Sequence, residues 1–371
     1  MSKPQIVVRA ADAADYPAIA ALLDKILSPR PYEQRVKLWR WRDDANPART
    51  EVIPPFLVGE QGGNIVAAHG LIPLRIKVTD KILVASCSCD LAADPSARSA
   101  GLKIKLEAMN WKISPLHIST SANETANKIT LALGGKEVGI GRRKLIAPLK
   151  VSAILRSTLS RSLSGAAGAA VAAVGGVIVK PLDWVLAIER AVRSYPKLAG
   201  AEIEEISEFD QRFDRFWETV SQEYDIIHVR DAAYLNWRYA QYPFGGIESF
   251  ALIRENEVLG LAVIHESVDD DGTRFVAILE QLAPRNDPAA FDQLLGEVIR
   301  RSARAGAHII TARTSIPLWE QQYRKPGFRL RRAPFSPVTY KNNSEFPDDL
   351  FAADASWYVS LGDGDGCYYF E

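Results

Sequence analysis

CDLAADPSARSAGLKIKLEAMNW, residues 89–111, runs an apolar strand into a turn of small residues and then into a helix. The apolar run begins near Ile82 and stops at Asp94 and Pro95; from Leu102 to Asn110 the apolar positions recur at helical spacing. Arg98, Ser99, Ala100 and Gly101 occupy the junction. First-turn amides of a helix lack intrahelical partners, and the helix dipole favours an anion there. An Arg and a Gly at such a junction therefore suit a pyrophosphate. The same residues also make an ordinary helix cap at the surface.

Working outward, strands are expected at Gln5–Arg9, Phe56–Gly59, Ile65–Lys77 and Ile82–Leu91, with helices at Tyr16–Leu27, Tyr32–Arg42 and Leu102–Asn110. Then come a short strand in LHISTS, a helix from Glu124 to Leu133 and one strand through VGIGRRKLI. The second half reads similarly, with strands in SFALIR, VLGLAVI, FVAILEQLA and HIITAR and helices at Phe291–Ala305 and Leu318–Arg324. Trp39-Arg40-Trp41 and Trp237-Arg238-Tyr239 each precede a proline, a strand, a turn and another strand. Two copies of one fold account for this economically. In each step the aromatic rings are expected in the core with the arginine turned outward.

At roughly 100 to 200 residues per domain, 371 residues suit two domains. The expected division is 1–150, 151–200 and 201–371, the middle piece being an Ala/Gly-rich helical connector. Within it, SLSGAAGAAVAAVGGVIV, residues 162–179, is uncharged. It reads as a buried or partner-facing helix, with shallow docking on a membrane and a full span as alternatives. Lys plus Arg equals Asp plus Glu at 45 each, so no global basic field recruits nucleic acid. Cys87, Cys89 and Cys367 are too few for a disulfide framework or zinc site, and the N-terminus lacks the pattern of an export signal. A cytoplasmic protein is expected, with peripheral contact at the inner membrane through 162–179 left open.

The strand, turn and helix of residues 89–111, followed by STSANETANKITLALGG, resemble the GNAT superfamily of acetyl-CoA-dependent N-acetyltransferases. The family's pyrophosphate turn reads Arg or Gln, two residues, Gly, one residue, Gly or Ala; Arg98 and Gly101 fill the first two places and Lys103 the third. Asn123 stands where the family places an Asn close to the pantetheine arm. The opening IVVRAADAADYPAIAALL also matches, so the likeness spans about residues 5–148. Two places depart from it. Thr130 stands where members often carry a Tyr that protonates the leaving thiolate, and Gly135 stands where they carry a Phe. The second half inverts this: Tyr323, Gly327 and Phe328 match the ending, while LAPRNDPAAFDQLL lacks the turn. HVRDAAYLNWRY and SWYVSLGDGD are similar to tandem GNAT-like proteins associated with bacterial surface polysaccharide.

The resemblance implies an α+β (mixed α/β) fold of two tandem GNAT-like domains, each a mostly antiparallel twisted sheet flanked by helices. It implies acyl-CoA-dependent N-acylation, with acetyl-CoA or another acyl-CoA as co-substrate and a small amine, such as an amino sugar for surface polysaccharide, as acceptor. The amine attacks the thioester directly, a base takes its proton, and a backbone N–H polarises the carbonyl. Leu91, Ala92, Ala93, Arg98, Ser99, Ala100, Gly101, Leu102, Lys103 and Asn123 are the implied cofactor-binding residues. Asp90 is the candidate base, with a cap or salt bridge as the alternative, and Tyr323 is the candidate acid. A catalytically inactive scaffold in a polysaccharide assembly system is the rival reading.

Other groups carry less. Cys87 and Cys89 alternate on one strand face, as packing residues or as nucleophiles. The five histidines lie far apart in sequence without metal-ligand spacing and read as structural or surface residues. Asp363-Gly364-Asp365 reads as a solvated terminal turn. No metal is expected.

Overall fold

Hairpins with two-residue turns organise both halves. Gly62 and Gly63 have φ values of 59° and 81°, and the equivalent turn in the second half holds Glu255 and Asn256 at 51° and 67°. Positive φ at both central positions matches the twist of the flanking strands. The computed structural model describes residues 6–95, 97, 101–138, 143–162, 174–332 and 338–365. The first half contributes β1 (Ile6–Ala10), α1 (Tyr16–Ile26), α2 (Tyr32–Trp39), β2 (Phe56–Gln61), β3 (Asn64–Val78) and β4 (Lys81–Ala93). It continues through α3 (Leu102–Asn110), β5 (Leu116–Ser119), α4 (Glu124–Ala132), β6 (Lys136–Val138) and β7 (Arg143–Pro148). Helices α5 (Val151–Ser162) and α6 (Lys180–Val192) lie in the connector.

The second half supplies β8 (Glu202–Glu205), α7 (Gln211–Val220), β9 (Ile226–His228), α8 (Ala232–Leu235), β10 (Ile247–Arg254), β11 (Glu257–Val268) and β12 (Arg274–Leu282). Then follow α9 (Pro288–Arg304), β13 (Ile309–Ala312), α10 (Pro317–Arg324), β14 (Arg329–Arg332), β15 (Val338–Asn342), α11 (Asp348–Ala352) and β16 (Trp357–Tyr358). The fold is the expected α+β arrangement of two mostly antiparallel sheets flanked by helices.

The first sheet runs β1-β2-β3-β4-β5-β15-β6, with β9 on β3 and β16 on β9; the second runs β14-β7-β13-β12-β11-β10-β8. The first sheet therefore takes β9, β15 and β16 from the second half, and the second sheet takes β7 from the first. β15 lies between β5 and β6, and β7 lies between β13 and β14. The single strand expected through VGIGRRKLI is accordingly two: β6 stays in the first sheet while β7 crosses to the second. Local pattern could not show this, because both segments are strand-like and only their partners differ. The division at residue 150 falls just after a strand that belongs to the second sheet.

The repeat also needs a correction of register. Trp41 and Trp237 stack with centroids 5.4 Å apart. Trp41 Nε1 donates to the Trp237 carbonyl at 2.5 Å, and Trp237 Nε1 donates to the Trp41 carbonyl at 2.7 Å. Both lie in single π-helical turns, Arg40–Asp44 and Asn236–Ala240, so Arg42 is the counterpart of Arg238. The matching step is Trp41-Arg42, two residues beyond the pairing that the sequence suggests. Arg40 is exposed, as expected, but Arg238 points inward, contrary to the expected outward orientation, and so does its counterpart Arg42. Arg42 clamps Asp43 through Nε at 2.6 Å and Nη2 at 2.9 Å, and Arg238 donates to the Gly362 and Gly364 carbonyls. One continuous apolar core, from Leu38 and Trp41 to Val359, joins the halves around this pair.

Candidate functional site

The middle strands of the first sheet part where β4 bulges. His69 of β3 faces two residues of β4, Asp90 and Leu91, between the Gly70–Cys89 and Ala68–Ala92 pairs. Asp90 takes a φ of 49° there. Such a bulge bends its strand and breaks the ladder. Parallel pairing of β4 with β5 is confined to Ser86–His117 and Cys87–Ile118, and beyond it the strands diverge. A cavity of about 390 Å³ opens in the gap.

Of the implied cofactor-binding residues, Leu91 and Asn123 line this cavity. Asn123 also caps α4, its Oδ1 accepting from Ala126 N at 3.0 Å. Ala92 and Ala93 face apolar clusters and are buried. Gly101 precedes α3 at φ 59°, with no side-chain cap, and a Cβ there would meet nothing within 4 Å. Leu102 packs into the core and Lys103 is half-buried on α3. Arg98, Ser99 and Ala100 lie outside the described residues.

Asp90 lines the cavity, and its Oδ2 is 3.3 Å from Arg42 Nη1. Facing the same space is Asp365, which sequence reading had left as part of a solvated turn. It is only 2 % exposed. Thr120 Oγ1 donates to Asp365 Oδ1 at 3.1 Å, and Ser121 Oγ donates to Oδ2. Burial raises the Asp365 carboxyl above its ordinary pKa. The signal that could have found it is the Gly-Asp-Gly-Asp run: small residues let a backbone enter a crowded gap. Nothing local names the strand it meets.

A buried polar layer forms part of the cavity wall, reaching it through Ser88, Glu107 and Thr130. His69 Nε2 and Ser88 Oγ are 2.7 Å apart, and Ser88 Oγ is 3.2 Å from His117 Nε2. Asn110 Nδ2 donates to His117 Nδ1 at 2.7 Å, and Thr130 Oγ1 donates to Glu107 Oε1 at 3.2 Å. Burial pulls His69 down to about 4. Glu107 works against its own burial: His117 and His69 hold it down to about 2. Thus two histidines that are 48 positions apart by number meet around one serine, a pairing that their sequence separation hid. Among the described residues no group of His, Cys, Asp and Glu is arranged to hold a metal ion. Cys87 is fully buried and Cys89 is buried at the cavity wall, and burial pushes both thiols up, which lowers their nucleophilic character.

The second sheet parts in the same place but its gap is filled. β12 pairs with β13 from Phe275–Ile309 to Ala277–Thr311, then bulges at Leu279. Gly362 N donates to the Leu279 carbonyl at 2.8 Å. Arg230 binds Glu280 at 3.0 Å and Asp363 at 2.7 Å, while Tyr358 Oη donates to the Gln281 carbonyl at 2.9 Å. Tyr323 is buried in this half, donating to Gln281 Oε1 at 3.1 Å and packing on Phe291 and Phe328. It is not among the residues lining the first cavity. The structure therefore brings together Asp90, Leu91 and Asn123 with Asp365, and leaves Tyr323 in the other half.

No family model matches the chain, and no curated relative does. Among solved structures, a GCN5-related N-acetyltransferase from Anabaena variabilis matches with TM-score 0.59 and 11% identity, over 92% of this chain and 73% of that one. A probable N-acyltransferase from Enterococcus faecalis gives TM-score 0.59 and 9% identity, over 92% and 73%. A GCN5-related N-acetyltransferase from Kribbella flavida gives 0.54 and 12%, over 91% and 71%. At these identities the likeness shows the fold, a GNAT-like one extending through both halves of the chain.

Proposed function

We propose that the protein is an acyl-CoA-dependent N-acyltransferase whose cleft lies in the first sheet. The observation that carries this is the bulged parting of β4 and β5 over a cavity lined by carboxylates from both halves, Asp90 and Glu107 from the first and Asp365 from the second. The cleft fits the group the fold implies. Diverging strands leave a slot for an extended pantetheine arm, and the uncapped start of α3 at Gly101 offers its first amides to a diphosphate outside the acidic cavity. Arg98 to Lys103 are assigned to that end, and Leu91 and Asn123 to the arm.

A bound acyl-CoA supplies the activated acyl group. Asp90 and Asp365 hold the acceptor's ammonium by charge-assisted hydrogen bonds. Asp365 is the better placed to accept the amine proton, because hydroxyls rather than a guanidinium hold it and burial makes it more basic. Asp90, beside Arg42, orients the amine. The backbone N–H at the bulge, near Leu91, polarises the acyl carbonyl. The second unit, its gap closed by residues 357–365, acts as a buttress that delivers Asp365. A small amine is the acceptor class, and an amino sugar bound for a surface glycan is its first candidate.

Thiol release from acetyl-CoA, followed with a panel of amino sugars and simple amines, tests this. Amine-dependent release is expected, with Asp365→Asn lowering kcat about a hundredfold. If no acceptor stimulates release and the variant matches the wild type, the inactive scaffold reading replaces the enzyme.

A further inference from the structure

The connector helix α6 is inside out. Along 174–192 the exposed residues include Val174, Val177, Ile178, Trp184, Val185, Ile188 and Val192, with Trp184 72 % and Val192 77 % exposed. Their spacing of three, four and seven places them on one broad face. No residue of α6 is buried. What turns toward the protein includes polar anchors beside the half-buried Val179 and Leu186: Asp183 accepts from Ser152 N at 3.2 Å, and Arg190 Nη2 donates to the Leu149 carbonyl at 3.1 Å. A helix that anchors itself by its charged face and offers its apolar face to the surroundings is built for an apolar occupant.

The charge pattern identifies which. Residues 150–197 carry seven basic residues and two acidic ones in a chain whose net charge is zero, so the rest of the molecule is net acidic. Lys180 at the start of α6 and Lys197 beyond its end are exposed. Self-association through this face would bring two basic segments together, whereas an anionic lipid surface meets both features at once. Among the described residues no helix is long and apolar enough to cross a membrane. Of the expected 162–179 helix, residues 163–173 lie outside the described residues, and the exposed apolar face is that of 174–192.

We infer that the face of residues 174–192 docks the protein on an anionic lipid surface, α6 lying in the interface with Trp184 and Ile188 among the headgroups. Lipid binding requires no catalytic step and stands apart from the transferase reading. The test is cosedimentation of the full chain with vesicles of equal parts phosphatidylglycerol and phosphatidylcholine. Expected is salt-sensitive binding, weakened about tenfold or more by Trp184→Glu/Ile188→Glu and left intact by Val268→Glu, an exposed apolar position on β11. Because both altered side chains are already in solvent, the variant should keep the wild-type melting temperature. Absence of binding, equal binding to pure phosphatidylcholine, or no effect of the double change overturns the inference. So does a lipid-free dimer that the double variant dissociates, which would make a second copy the occupant.

Discussion

Expressed apart, residues 1–150 and 151–371 are each expected to be insoluble, and produced together to recover a soluble complex. The cause is the strand exchange. Without the second half, β5 and β6 lose β15, which pairs with β5 from Thr339–Ser119 to Asn342–Leu116 and with β6 from Val338–Val138 to Tyr340–Lys136. β7 is then left with its partners β13 and β14 on the missing piece. Open strand edges of this kind are templates for aggregation. The Trp41–Trp237 pair and the shared core are also cut. Solubility and circular dichroism of each half, alone and coexpressed, check this. Two well-folded separate halves would mean that the exchange does not hold the molecule together.

Arg230→Met is the most damaging single substitution the structure indicates, at about 3–5 kcal/mol. Arg230 is fully buried and pairs with both Glu280 and Asp363, with its guanidinium over the Tyr358 ring at 4.8 Å. Removing it strands two carboxylates away from water. His228, with Nδ1 3.1 Å from Asp363 Oδ1, is held down to about 4 chiefly by burial while Arg230 is in place. Glu280→Gln/Asp363→Asn added to Arg230→Met is expected to regain part of the loss, because neutral amides are cheaper to bury than unpaired carboxylates. Urea denaturation of the three proteins measures it. A single variant as stable as the wild type would show that the cluster carries no such weight.

Much of the strand and helix pattern is legible locally. The expected helices Leu102–Asn110 and Glu124–Leu133 agree with α3 and α4 to within one residue, since caps such as Asn123 and breaks such as Pro115 lie beside them. The exchange was not legible: hydrophobic alternation says that β7 and β15 are strands and is silent on which sheet each joins. The register of the repeat failed for a related reason. Trp39-Arg40-Trp41 looks like the better match to Trp237-Arg238-Tyr239, yet the π-helical turns set Trp41 against Trp237, and only reciprocal hydrogen bonds across the halves reveal it. Asp365 was missed because a short Gly/Asp run looks identical whether it faces water or plugs a gap. That Asp90 lines the cavity is legible locally, because its strand and turn are contiguous with it.

The central claim is that the parting of β4 and β5 accepts an acyl-CoA. Calorimetric titration of the intact chain with acetyl-CoA and longer acyl-CoAs, wild type against Ala126→Trp, tests it most directly, because Ala126 lines the cavity from the first turn of α4 and an indole there would fill it. Saturable binding in the micromolar range is expected for the wild type, weakened about tenfold or more by the indole at unchanged melting temperature. No heat with any acyl-CoA at millimolar concentration, or binding that the variant leaves untouched, would contradict the account.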